Sequence, residues 1–136
     1  MSLVKTEITL KNTEDHLKAK RGLIKETEVR QITVNALVDT GAWTLVINEE
    51  TREKLGLEIV GSDSGTLADG TSTEYNVAGP LDVNWKNRRV TCDALVLPEA
   101  DDILLGAIPL EAMDLIVNPR RELVGAHGDQ IMHKIY

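Results

Sequence analysis

Val4, Thr6, Ile8 and Leu10 alternate with Lys5, Glu7, Thr9 and Lys11, a period of two that predicts a half-buried strand over residues 4–10. The stretch from Asn12 to Gly22 is polar and charged and reads as a loop or irregular excursion. From Glu28 to Val38 the apolar positions first alternate (Val29, Ile32, Val34) and then run together as Ala36-Leu37-Val38. Such a shift predicts a strand that passes from a sheet surface into the interior. Thr44-Leu45-Val46-Ile47 is a further short strand, and Leu57 to Val60 resumes strand character.

Between these lies a helix signal. Asn48 suits an N-cap, Glu49 and Glu50 the first turn, Lys54 the last turn and Gly56 the C′ position, so a short helix is expected over 49–55. Gly65 to Tyr75 has the form of a β-hairpin around Asp69-Gly70, a pair favoured in turns that match strand twist. Two strands follow, roughly Val77 to Trp85 and Arg89 to Leu97, joined by Lys86-Asn87-Arg88. Ile103-Leu104-Leu105-Gly106 is a second apolar run, and Pro109 suits the first turn of a helix from Pro109 to Met113. Leu115-Ile116-Val117 and Glu122-Leu123-Val124 flank the turn Asn118-Pro119-Arg120-Arg121, and Gln130 to Tyr136 is expected to form a last strand. The pattern is that of an all-β chain with two short helices.

Composition narrows this further. At 136 residues the chain fits one domain, taken as 1–136, that is long enough to bury a core. Its apolar content is 42% without a single Phe, and Val, Ile, Leu and Thr dominate, which suits strands. The net charge of −7 argues against a partner that presents nucleic-acid phosphates, since such a protein needs a basic face. Arg88-Arg89 and Arg120-Arg121 are isolated pairs expected to flank turns. No apolar stretch is long enough to cross a membrane, so neither nucleic acid nor membrane is an expected partner, and a soluble, cytoplasmic protein is expected. The single cysteine, Cys92, has no intrachain disulfide partner and reads as a structural thiol.

The candidate chemistry sits at the end of the apolar run: Asp39-Thr40-Gly41-Ala42, which occurs once. A buried strand there delivers a carboxylate into a tight turn. The plain alternative is an Asx-type turn at a strand end. An order of events recurs along the chain. Ala36 to Ala42, a helix ending Lys54-Leu55 and then Gly56 to Val60 is echoed by Asp102 to Ala107, a helix ending Ala112-Met113 and then Asp114 to Val117.

On these features the chain resembles a retropepsin-like (clan AA) aspartic protease of the small single-domain prokaryotic type. The resemblance rests on Asp39-Thr40-Gly41-Ala42 after an apolar strand, the hairpin where the family has its flap, and Ile103-Leu104-Leu105-Gly106 before a short helix. It spans roughly Glu28 to Val124 and includes the closing Asn118-Pro119-Arg120-Arg121 turn. It implies a closed β-barrel of the acid protease type with one or two short helices. It also implies a homodimer in which Asp39 of each copy forms a catalytic pair acting on a peptide or protein substrate, with no cofactor and no metal. Thr40, Gly41 and Ala42 would support the site, and Leu67, Ala68, Asp69 and Gly70 would form the substrate-binding flap.

Two departures stand out. Trp43 follows the motif where the family has a small or acidic residue, and the hairpin lacks a glycine-rich tip. They motivate a rival expectation, a catalytically silent peptide-binding or dimerisation module with the same fold. Leu104, Leu105 and Gly106 are expected to pack rather than react, and Asp69, Asp101 and Asp102 to be solvated loop charges. His127, Asp129 and His133 match no compact zinc spacing.

Overall fold

The alternation at the start of the chain becomes β1 (Val4–Asn12), whose inward residues Ile8 and Leu10 are almost completely buried. A computed structural model of the chain describes residues 4–66 and 69–128. The expected strand over Gln130 to Tyr136 lies outside them. β1 pairs antiparallel with β2 (Gln31–Val38) from Val4↔Val38 to Lys11↔Gln31, so the apolar end of β2 lies beside the start of the chain.

The next elements are β3 (Leu45–Ile47), α2 (Glu49–Leu55), β4 (Glu58–Thr66) and β5 (Ser72–Trp85), α1 being described below. They are followed by β6 (Arg88–Val96), β7 (Leu104–Leu105), α3 (Ala107–Ala112), β8 (Leu115–Val117) and β9 (Leu123–Gly125). The main sheet runs β1-β2-β7-β3-β6-β5-β4, and β1 also pairs with β5, so the sheet closes on itself with β4 outside the closure. Closure leaves one continuous interior, filled by Ile8, Leu10, Leu45, Ile47, Leu81, Val83 and Leu105. β8 and β9 form a separate two-stranded sheet across the Asn118 to Arg121 turn. The all-β class holds.

Two expectations about helices need correction. Residues 12–22 are not a loop: α1 spans Thr13–Lys20. With α2 and α3 there are three α-helices among the described residues, plus a 3₁₀ turn at Glu26–Glu28. α1 has no apolar face for periodicity to reveal, and its one large aliphatic residue, Leu17, is exposed. Polar ties hold it instead. Asn12 caps it by accepting from the Asp15 amide (3.0 Å), and the Thr13 hydroxyl donates to the buried Asp82 (2.7 Å). Asp15 also takes two hydrogen bonds from the Arg30 guanidinium (2.8 and 3.0 Å).

The second correction is smaller. α3 begins at Ala107 rather than at Pro109, because the amides of Ala107 and Ile108 bond to the carbonyls of Ala42 and Trp43 (2.8 and 2.9 Å). Pro109 still falls in the first turn, where its missing N–H costs nothing. α2 forms where expected, with Asn48 accepting from Thr51 N (2.8 Å) and Gly56 at φ 63°. The second hairpin strand and the strand reaching Trp85 are one 14-residue element, β5, with a register shift between Ala78 and Leu81.

Arg88 is only 3% exposed, although it does follow the β5–β6 turn. Its Nη1 donates to the carbonyls of Met113 and Asp114 (both 2.7 Å) and its Nη2 to that of Gly128 (2.5 Å). It thus ties the end of α3 and the segment after β9 to the main sheet.

Candidate active site

Asp39 is placed by backbone pairing before any side chain is considered. β2 and β7 run parallel, with Leu37 opposite Leu104 and Val38 opposite Leu105. The Leu37 amide donates to Ile103 O (2.8 Å) and the Asp39 amide to Leu105 O (3.1 Å). The two halves of the sequence echo therefore lie side by side. Their continuations stay paired, since the amides of Ala107 and Ile108 bond to the carbonyls of Ala42 and Trp43.

Asp39 itself is half-buried, Thr40 and Gly41 are exposed and Ala42 is half-buried. The Gly41 amide donates to Asp39 Oδ1 (2.9 Å), and the Ala42 amide closes the turn onto Asp39 O (3.1 Å). A Cβ on Gly41 would stand 3.2 Å from Asp39 Oδ1, so the glycine permits this close approach. Asp39 Oδ2 and the Thr40 hydroxyl have no hydrogen-bond partner among the described residues. One carboxylate oxygen is oriented by its own loop and the other has no partner among the described residues.

A cleft of about 400 Å³ opens over this loop. Its lining includes Trp43 and Thr44 beside the motif, Leu95 and Leu97 on the β6 side, and Thr66 and Tyr75 from the hairpin. Asp39 is the one carboxylate among its described lining residues. The walls are thus mostly apolar, with a single acid among the described lining residues, the pattern expected of a site that holds a ligand by shape.

Among the described residues, the hairpin reaches the cleft through its stems. Thr66 pairs with Ser72 and Gly65 with Thr73, and the Tyr75 ring lies over Gly65, where an added Cβ would stand 3.0 Å from two ring carbons. At the tip Asp69 Oδ1 accepts from the amide and hydroxyl of Thr71 (2.9 and 2.6 Å), with Gly70 at φ 87°. The Thr71 hydroxyl, aided by its amide, holds the Asp69 carboxyl below the usual range. Asp69 and Gly70 do not line the cleft, and Leu67 and Ala68 lie outside the described residues.

Sequence reasoning named Asp39 to Ala42 and the hairpin but missed Tyr75, Leu95 and Leu97. The available signal was Tyr75, the one aromatic residue in a hairpin of mostly small or polar residues. Leu104 lines the cleft while Leu105 and Gly106 are buried. Asp69, Asp101 and Asp102 are exposed. His127 pairs with Asp114 (2.8 Å), and no group of three or more potential metal ligands occurs among the described residues, which exclude Asp129 and His133. Burial, with Asp93 and Asp82 nearby, pushes the Cys92 thiol up to about 12. No described helix is long and apolar enough to cross a membrane.

Comparison with known proteins agrees with this arrangement. The chain is similar in fold to EIAV protease complexed with the inhibitor HBY-793, with a TM-score of 0.53 and 18% identity over 81% of this chain and 86% of that one. No curated protein sequence matches it. The profile of a family described as Aspartyl protease matches residues 26–107, more than half of the chain, including Asp39, the hairpin and Leu104-Leu105-Gly106. The chain belongs to this aspartyl protease family, with a retropepsin-like fold.

Proposed function

We propose that the protein is an aspartic endopeptidase whose catalytic pair is assembled from Asp39 of two identical chains. The observation that carries this reading is the lone Asp39 carboxylate among the described residues lining a mostly apolar cleft of about 400 Å³, which hairpin residues also line. Peptide hydrolysis by carboxylates needs a base for water and an acid for the carbonyl oxygen. One chain provides one such group, so a second copy supplies the other.

Two carboxylates held side by side share a proton, because two adjacent negative charges are costly. The ionised Asp39 takes a proton from a water held between the pair. The protonated Asp39 gives one to the scissile carbonyl oxygen, which leaves a tetrahedral diol. Collapse of the diol returns a proton to the pair and delivers one to the leaving nitrogen. Gly41 fixes the orientation of each carboxylate through its amide, and the free Thr40 hydroxyl is suited to a partner across the interface. Extended substrate would lie in the cleft beneath Thr66 and Tyr75.

Trp43, 49% exposed at the cleft, favours a second reading in which the fold binds peptides or dimerises without turnover. A peptide-library digest with the native chain and with Asp39→Asn, run beside a measurement of mass in solution, separates the two. Proteolysis that needs Asp39 and a dimeric mass support the endopeptidase. Activity that survives Asp39→Asn, or a strictly monomeric active species, overturns it, and peptide binding without cleavage at any pH supports the silent module.

A further inference from the structure

Trp43 lines two cavities, the Asp39 cleft and a pocket of about 220 Å³, the size of a single large side chain. The pocket shares Trp43, Thr44 and Leu95 with the cleft, so a peptide lying along the first runs past the mouth of the second. Its remaining walls are largely apolar, from Val77, Ile108 and Cys92, with Asp63 and Asp93 as its two charged lining residues.

We infer that this pocket takes a lysine or arginine side chain of the bound peptide, at a position remote from the bond to be cut. The assignment rests on the reading of the main cleft as a peptide site. Lysine and arginine combine an apolar stem with a charged tip, which matches a pocket of apolar walls and acidic groups. The Trp43 indole, half exposed, offers a face that attracts a cation. Asp63 on β4 and Asp93 on β6 are both exposed, and neither forms an ion pair with a described residue. Asp63 Oδ1 accepts only from the neighbouring Ser64 amide (2.8 Å), so its charge stays uncompensated. The chain's net charge of −7 adds to the pull on a cation. An acidic side chain would be repelled here, and an aliphatic one would leave both carboxylates unused.

The wall is built to keep its place. Trp43 O is held by the Ile108 amide (2.9 Å), the next residue, Thr44, is buried, and Gly106 packs against the Thr44 backbone. The Trp43 backbone is therefore held in place where the two cavities share their lining. This accounts for a large aromatic residue directly after the motif.

The test uses peptides selected from a random library on the Asp39→Asn chain, which binds without cutting. Selected peptides are expected to carry Lys or Arg at one fixed position. Replacing that residue by norleucine should weaken binding about tenfold, an effect that shrinks with added salt and in Asp63→Asn, Asp93→Asn and the double variant. Absence of selected binders, absence of a basic preference, or a preference that persists in the double variant overturns the assignment. A change of mass in solution in these variants, with peptide preference unaltered, assigns the pocket to a second copy of the chain and also overturns it. A basic preference in binding, combined with no cleavage by the native chain, refutes the endopeptidase reading and leaves the pocket assignment standing.

Discussion

Gly106 and Thr44 meet backbone to backbone: a Cβ on Gly106 would stand 2.1 Å from Thr44 O and 2.6 Å from Ala42 O. The glycine that ends the second apolar run is thus what lets α3 dock on the loop after Asp39. Its φ of −92° is open to any residue, so the requirement is space and not conformation. This contact couples a helix start to the placement of the candidate catalytic loop.

Gly106→Ala is expected to destabilise the fold by about 3 kcal/mol, because the obstructing atoms are backbone and cannot rotate away. Urea unfolding of the variant beside the native chain checks this. A loss under about 0.5 kcal/mol, the range of an ordinary surface change, contradicts the close approach.

Arg88→Met should cost about 3 kcal/mol, since the carbonyls of Met113, Asp114 and Gly128 lose their donor together. Arg88→Lys should recover only part of this, as one ammonium cannot reproduce the planar fork. Equal stability of the lysine variant and the native chain would show that the fork is unimportant.

Asp15 makes a signed prediction about acid. The Arg30 guanidinium beside it holds its carboxyl below the usual range, so the pair contributes stability above the unfolded value of about 3.9, lost as pH falls through the lower folded value. Asp15→Asn is expected to reduce stability at pH 7 by about 1 kcal/mol, because Arg30 is half exposed and solvent screens the pair. It should also flatten the stability curve below about pH 4. Unfolding midpoints measured at pH 7, 4 and 3 test both features. An undiminished acid slope in the variant argues against the pair.

Cys92 should be inert in the folded protein. With its thiol pushed up to about 12, little thiolate exists at pH 8. Alkylation is expected to be slower by on the order of a hundredfold than in urea-unfolded chain. Comparable rates in the two states would refute the burial argument.

Asp69→Ala removes the acceptor for the amide and hydroxyl of Thr71, while the pairing of Thr66 with Ser72 remains. Faster amide exchange confined to the hairpin tip is expected, with the unfolding midpoint unchanged. A shift of the global midpoint would mean that the tip carries more of the fold than its exposure suggests.

Much of this protein was legible along the chain. Alternation marked β1, the cap pair Asn48 and Gly56 bounded α2, and Asp69-Gly70 marked the hairpin, since each is a local signal written in neighbouring residues. α1 was hidden because its stretch has no apolar face, its one large aliphatic residue, Leu17, being exposed. Its ties run to Arg30 and to Asp82, residues whose proximity exists only after β1 has paired with both β2 and β5.

The candidate site divides the same way. The sequence by itself determined that one aspartate follows an apolar strand end in a tight glycine turn, because both features depend on adjacent residue types, although in the structure only Ala36 of that apolar run is fully buried. Tertiary structure alone decided what surrounds that aspartate. Parallel pairing of β2 with β7 set its position, and closure of the sheet brought Tyr75, Leu95 and Leu97 to the same cleft. Trp43, a departure in the linear motif, became in three dimensions a lining residue of two cavities. The physical reason is that a cleft is enclosed by residues far apart in the chain, and no local pattern records which of them will meet.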